Sequence, residues 1–111
     1  MEANPRRLVT YVTSSGRRPF REWLETLKDE LGQARILARL ERLENGNFGD
    51  HRPVGGGVVE LRVDSGPGYR VYCGSDGPIT VVLLCGGTKG AQDRDIRRAK
   101  AYWLDYQGRE D

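Results

Sequence analysis

Several residue types that build whole classes of protein are scarce in this chain. Histidine occurs once, at His51, and cysteine twice, at Cys73 and Cys85. One histidine and no close cysteine pair leave no metal-ligand motif, so neither a metal nor a cofactor is expected. Each cysteine closes an apolar run, which reads as a buried thiol in a reducing compartment. No run approaches the roughly 18 apolar residues of a membrane span. The first stretch, MEANPRRLVTYV, lacks the apolar centre of a secretion signal. The expectation is a cytoplasmic protein with no membrane partner. Net charge is also scarce: 18 basic against 16 acidic residues leave only +2. That is too little to argue for nucleic acid from total charge, so any such argument must rest on local clustering. Lysine is nearly absent too, since only Lys28, Lys89 and Lys100 stand beside fifteen arginines. Arginine is the better fork for phosphate oxygens.

What is present fits one domain spanning residues 1–111, with one modest core. Leu8–Thr13 (LVTYVT) is a candidate first strand. After a turn at Ser14–Arg18, Pro19 suits the first position of a helix. Phe20, Trp23, Leu24 and Leu27 then fall at the spacing of an apolar helical stripe. A break is expected at Leu31–Gly32. A second helix follows over Gln33–Glu44, with Ile36, Leu37, Leu40 and Leu43 inward, stopped by Asn45-Gly46. Its charges, Arg35, Arg39, Glu41, Arg42 and Glu44, alternate in sign as on a solvated face. Asn47–Gly57 reads as irregular. Gly86-Gly87 reads as a turn into a last helix that Thr88 or a residue soon after it would cap. The inward stripe of that helix is Ile96, Ala99, Trp103 and Tyr106, with Arg94, Arg97, Arg98 and Lys100 largely off it. Gly108–Asp111 reads as a frayed tail.

Between these helical parts lies Gly55–Gln92, around which the chain is organised. Val58–Val63, Tyr69–Cys73 and Ile79–Cys85 are apolar runs separated by SGPG (Ser65–Gly68) and GSDGP (Gly74–Pro78). That is the pattern of a three-stranded antiparallel meander. Alternation puts Val59, Leu61, Val63, Tyr69, Val71 and Cys73 on one face and Glu60, Arg62, Arg70 and Tyr72 on the other. The expected order is β-α-α-β-β-β-α: an α+β fold with a small antiparallel-rich sheet that the first strand joins, and helices packed on one face. The Arg62/Arg70 face would stay open. Arg52, just before the first meander strand, and Lys89, just after the third, would reach the rim of the same concavity. A phosphodiester is the natural ligand for such a group, with Tyr72 offering a ring or a hydroxyl. The bland alternative is that Arg62 pairs with Glu60 and Tyr72 caps the sheet edge.

The strings G-V-V-E-L-R, G-P-G-Y-R-V-Y, L-L-C-G-G-T-K and Q-D-R-D-I-R-R-A resemble the RelE/ParE toxin superfamily. Their likeness is to the HigB-like, phage-derived addiction module killer branch. The motif block runs from Gly49 to Tyr106, and the β-α-α portion before it agrees in order and length. ELR, GYR and GGxKxxQxxDI are specific in combination. Thr88 departs from the pattern, where an acidic residue is common before the lysine, and Arg52 replaces a more usual lysine.

The resemblance implies a type II toxin whose RelE-like members enter the ribosomal A site and cut mRNA. The 2′-hydroxyl attacks the adjacent phosphate in line, without a metal, leaving a cyclic phosphate and a 5′-hydroxyl. Fixed cations act best where negative charge gathers in the transition state. Carried onto this sequence, Arg70 would stabilise that state, while Arg62 and Lys89 would clamp phosphate oxygens. Arg52, Tyr72, His51 and Glu60 are candidate RNA-contacting residues. Among these, Tyr72 is a stacking candidate. Glu60 is either a general base or, the preferred role, the ion-pair partner of Arg62. His51 has a side chain chemically suited to acid or base work. The implied partners are the ribosome and mRNA, a HigA-like helix-turn-helix antitoxin, and operator DNA through that antitoxin. Two alternatives stay open: a ParE-like inhibitor of DNA gyrase without catalysis, and an inactive antitoxin-binding homologue.

Overall fold

A computed structural model describes residues 4–109. The elements run β1 (Arg7–Thr10), α1 (Pro19–Thr26), α2 (Glu30–Glu44), β2 (His51–Gly55), β3 (Val58–Val63), β4 (Tyr69–Asp76), β5 (Thr80–Thr88), a 3-10 turn (Lys89–Ala91) and α3 (Gln92–Arg109). The five strands form one sheet in the order β1-β5-β4-β3-β2. β2 to β5 are antiparallel neighbours, and β1 lies parallel to β5. The α+β class and the meander are therefore as the sequence indicates. The first strand does join the sheet, which satisfies its backbone groups. Among the described residues no helix is long and apolar enough to cross a membrane.

Local chemistry sets the boundaries. Pro19 opens α1, where its missing N–H costs nothing. The break between helices falls at Leu27–Asp29 and not at Leu31–Gly32, because Asp29 caps α2 by accepting a hydrogen bond from the Gly32 N–H at 3.0 Å. The other carboxylate oxygen accepts from Tyr69 Oη at 2.8 Å, tying the start of α2 to β4. These two bonds, first the Gly32 N–H and then the Tyr69 hydroxyl, hold the Asp29 carboxyl below its ordinary range. Gly32 is inside the helix for want of space: a Cβ there would lie 2.6 Å from the Tyr69 ring. At the other end Gly46, with φ of 87°, makes the stop that Asn45-Gly46 announces.

Two regions depart from expectation. Asn47–Gly57 is not irregular, for His51–Gly55 pairs with β3 as the strand β2. Its proline and glycines hide the strand pattern, and both are tolerated because β2 is an edge strand with a bulge between Pro53 and Gly55. Gly86-Gly87 is not a turn but lies within β5. Each glycine makes room for a neighbour on one side of the sheet. A Cβ on Gly86 would meet the Trp23 ring at 2.3 Å, and one on Gly87 would meet Asp95 Oδ2 at 1.9 Å.

Those two neighbours belong to opposite layers, and this corrects the expectation that all helices share a face. α1 and α2 cover one side, over a core that includes Phe20, Ile36, Leu43, Leu61, Val71 and Val81. α3 covers part of the other, where Ala99 and Trp103 pack on Val58, Tyr72, Val82 and Leu84. The alternation of Val81, Val82, Leu83 and Leu84 between the two cores shows why: β5 is apolar on both faces, and a doubly apolar strand needs cover on both. Cys73 and Cys85 are buried free thiols on opposite sides of the sheet. Burial pushes both up to about 12. No side-chain cap is made by Thr88. Of the tail, Gly108 and Arg109 belong to α3, and Glu110 and Asp111 lie outside the described residues, as do Met1 to Ala3 of the N-terminal stretch.

Candidate functional site

The face that carries α3 is apolar at one end and ionic at the other. Register alone gathers the ionic part. Arg52 of β2 stands opposite Glu60 of β3, Glu60 stands opposite Tyr72 of β4, and Arg62 stands opposite Arg70. Residues directly opposite share a face, so four strand positions converge on Glu60. Gly87 of β5 lies beside Arg70 and presents no side chain.

Glu60 has no exposed surface at all, yet it is charged. Its Oε1 accepts from Arg52 Nε at 2.9 Å and Arg62 Nε at 3.4 Å, and Arg70 Nε lies 3.9 Å away. Its Oε2 accepts from Tyr72 Oη at 3.1 Å and from Gln92 Nε2, on the first turn of α3, at 3.0 Å. Burial pushes its carboxyl up. The bonds from Gln92, Arg52 and Tyr72, with the Arg52 charge, outweigh that and leave it below its ordinary value of 4.5. A carboxylate so held is a poor proton acceptor. Glu60 is thus the ion-pair partner of Arg62, and of two more arginines besides; the base role loses its physical footing.

Around that anchor the cations differ. The side chains of Arg52 and Arg62 are 47% and 39% exposed, that of Arg70 only 11%. Arg52 and Arg62 reach Glu60 through Nε, the guanidinium nitrogen nearest the stem, so their terminal Nη forks extend beyond the carboxylate. Arg70 lies deeper. Its Nη1 donates to the Tyr69 carbonyl at 3.0 Å, and its buried Nε makes no hydrogen bond. Lys89 is exposed on the 3-10 turn, whose backbone N–H is tied to the Gly68 carbonyl at 2.7 Å. Lys89 and Arg70 come together at Gly68, for a Cβ there would meet Lys89 Cβ at 3.4 Å and Arg70 Nη1 at 3.5 Å. Arg52, Arg62 and Arg70 are thereby brought together over one carboxylate, with Lys89 next to Arg70 at Gly68. Asp95, against Gly87 on the same face, adds a second carboxylate, but Arg94 and Arg98 flank it. The cations still outnumber the carboxylates, which favours an anionic ligand.

Two expected participants do not join as anticipated. Tyr72 is fully buried, so no ring face is free for a base. Its hydroxyl donates to Glu60, and burial, then the Glu60 charge, drives its pKa far up, fixing it as a neutral donor. His51 stands opposite Leu61, not Glu60. It therefore faces the α2 side, against Phe48 with ring centroids 5.4 Å apart, and its Nδ1 lies 2.7 Å from the Gly49 carbonyl. One-residue alternation puts it on the wrong side of the sheet for chemistry at Glu60.

Two residues of the face escaped assignment. Gln92 holds Glu60 from above. Asp95 is buried, has an Oδ2 without a partner, and is flanked at Oδ1 by Arg98 at 3.5 Å and Arg94 at 3.6 Å. Both stand in the Q-D-R-D-I string, so the signal was present. It was the register of α3 over the sheet that the string alone did not carry.

Fold and site together define a small α+β domain with an arginine cluster built on a buried glutamate. No protein-family model matches the chain. An uncharacterized protein of Haemophilus influenzae is 51% identical over 81 residues, which covers 73% of this chain and 82% of that protein. The chain belongs to the same family as that protein.

Proposed function

We propose that this chain is the toxin of a type II toxin–antitoxin system, of the HigB-like branch of the RelE/ParE superfamily, and that it cuts mRNA on the ribosome. The observation that supports this most is the set of three guanidinium groups fixed by one buried carboxylate, with Lys89 beside the deepest of them. Preorganised cations are what a phosphoryl transition state needs. They are already oriented, so no reorganisation is spent as charge develops. In this scheme Glu60 positions arginines and takes no proton. Arg70, at the floor, stabilises the pentacoordinate phosphate. Arg62 and Lys89 hold its non-bridging oxygens, and the Arg52 fork holds a neighbouring part of the strand. The nucleophile is the RNA's own 2′-hydroxyl, and its alignment falls to the ribosome. Its oxygen bonds to phosphorus as the P–O5′ bond breaks. Its proton passes to solvent water, and the departing 5′-oxygen takes a proton from water. A helix-turn-helix antitoxin would neutralise the toxin and carry the pair to operator DNA.

Induction in cells, followed by mapping of mRNA 5′ ends, tests this. Wild type should produce new ends within codons, and Arg70→Ala should produce none. Intact mRNA with DNA breaks and an SOS response would replace the proposal with gyrase inhibition. Unaffected growth would point to an inactive homologue.

A further inference from the structure

Arg39 of α2 belongs by sequence to a solvated stripe, but it is 3% exposed. Its Nη2 donates to the Asp50 carbonyl at 2.6 Å, and its Nη1, pressed against Gly49, has no partner. No carboxylate pairs with it among the described residues. Burial, then the neighbouring Arg42 charge, pulls its pKa down, and Asp50 and Cys73 offset this only in part. A buried guanidinium without a counter-ion is costly to keep, and a core position one helical turn from Ile36 or Leu43 takes a leucine more cheaply.

Arg39 lines a cleft of about 620 Å³ between α2 and β3, with Arg35 and Arg42 on the helix side and Arg62 on the sheet side. Glu41, Asp50 and Asp64 also border it, but none forms an ion pair with these arginines. The cleft lies where β2 begins: the ladder to β3 runs out past His51 opposite Leu61, and Asp50 makes the last contact with β3, at Arg62. The Asp50 carbonyl that accepts from Arg39 also accepts from the Arg62 backbone N–H at 2.9 Å. Arg62 therefore borders both the Glu60 cluster and this cleft. Its side chain lies with Glu60 on the α3 face, while the cleft lies on the α2 face, so a strand visiting both rounds the edge of the sheet at β3.

We propose that this cleft is a second phosphate subsite, which takes a backbone phosphodiester of the RNA strand whose scissile phosphate lies at the Glu60 cluster. This deepens the function proposed above and rests on it. Arg39 supplies the buried charge, Arg42 and Arg35 close over the anion, and Arg62 joins the two subsites into one track. A phosphate fits better than an apolar or neutral group because it would supply the paired counter-charge that Asp50, acting on Arg39 without a direct ion pair, supplies only in part.

The test uses the full chain with two uncleavable 2′-O-methyl RNAs, a dinucleotide and a hexanucleotide, and inorganic phosphate alone. Arg42→Gln and Arg35→Gln change exposed residues and should leave folding intact. Each should weaken the hexanucleotide about fivefold and lower the slope of log affinity against log salt by roughly 0.7, with dinucleotide affinity unchanged. Inorganic phosphate should shift the Arg39 Nε–H resonance in side-chain NMR. Equal loss for both RNAs, no loss for either, or an unmoved Arg39 signal would overturn the subsite. If phosphate moves Arg39 while neither RNA binds, the cleft is an anion site but not an RNA subsite, and the RNA reading fails with it. If the dinucleotide binds and the hexanucleotide gains nothing, the Glu60 site stands and the second subsite falls.

Discussion

The two faces of β3 and β4 come from alternate residues of the same strands, yet they are built on opposite principles. Toward α1 and α2, Leu61, Val63, Tyr69, Val71 and Cys73 meet other apolar groups, and burial dominates, with the Tyr69–Asp29 bond as a polar tie to α2. Toward α3, Glu60 and Tyr72 are buried as completely, but only because every polar atom of the Glu60 carboxylate has found a donor. A single step along the strand, from Glu60 to Leu61, crosses from one regime to the other. The dry face carries the larger apolar core, and its few polar groups, Asp29, Tyr69 and Arg39, are each held by a hydrogen bond. The wet face spends burial on holding arginines still, which under the proposed function presents them to a phosphate.

The largest effect should come from the dry face. Leu61→Ala should cost about 4 kcal/mol, read as a fall in the denaturant midpoint, since the site is enclosed and cannot collapse. Added phosphate should not restore it. Glu60→Gln, one residue away, should cost about 2 kcal/mol, less than for a fully enclosed pair because Arg52 and Arg62 remain half in solvent. Here phosphate should recover part of the loss, because an anion can replace the missing charge. Equal response of the two variants to phosphate would erase the distinction between the faces.

The same pair separates by pH. Glu60 has a folded pKa below its ordinary 4.5, so its contribution is complete above that value and is lost as pH falls through the lower folded one. Wild type should therefore lose stability on acidification more steeply than Glu60→Gln, and parallel curves would count against a charged Glu60. Gly86→Ala and Gly87→Ala sharpen the comparison at one dipeptide. Each should cost about 2 kcal/mol by overpacking, the first by displacing Trp23 and the second by displacing Asp95. Only the second should disturb RNA cleavage, as it lies beside Arg70. The smallest effect is expected of Tyr72→Phe, about 1 kcal/mol for one lost hydrogen bond. Cleavage should fall by less than about tenfold with it, for a buried ring is no stacking platform. A larger loss would restore Tyr72 as an RNA contact.

Much of the fold was legible because it lies in alternation and turns. Val58–Val63 and Tyr69–Cys73 announce their faces, Pro19 and Asn45-Gly46 their helix ends. β2 was not legible, since Pro53 and Gly55 within it and Gly56-Gly57 just after it give no strand signal, and only pairing with β3 makes His51–Gly55 a strand. The wrong reading of Gly86-Gly87 came from the usual meaning of glycine in a turn, where the operative cause was close approach from both sides. In the candidate site, Glu60, Arg62 and Arg70 were legible from period-two patterning once the strands were placed, whereas Arg52 was placed at the rim only by its position before the first meander strand. His51 was misplaced because an irregular segment has no faces; as a strand, it has one. Arg39 could not be distinguished from Arg35 or Arg42 by sequence, because its burial depends on how α2 lies over Gly49 and Asp50.

The central claim is that the arginines held by Glu60 serve a phosphate and not the fold. Single-turnover cleavage of mRNA on programmed ribosomes tests it most directly, comparing wild type with Arg70→Ala after confirming that both are folded. The expected result is a rate lower by about a hundredfold or more in the variant, the scale of losing one preorganised transition-state contact. Cleavage within about threefold of wild type by a folded Arg70→Ala protein would contradict it.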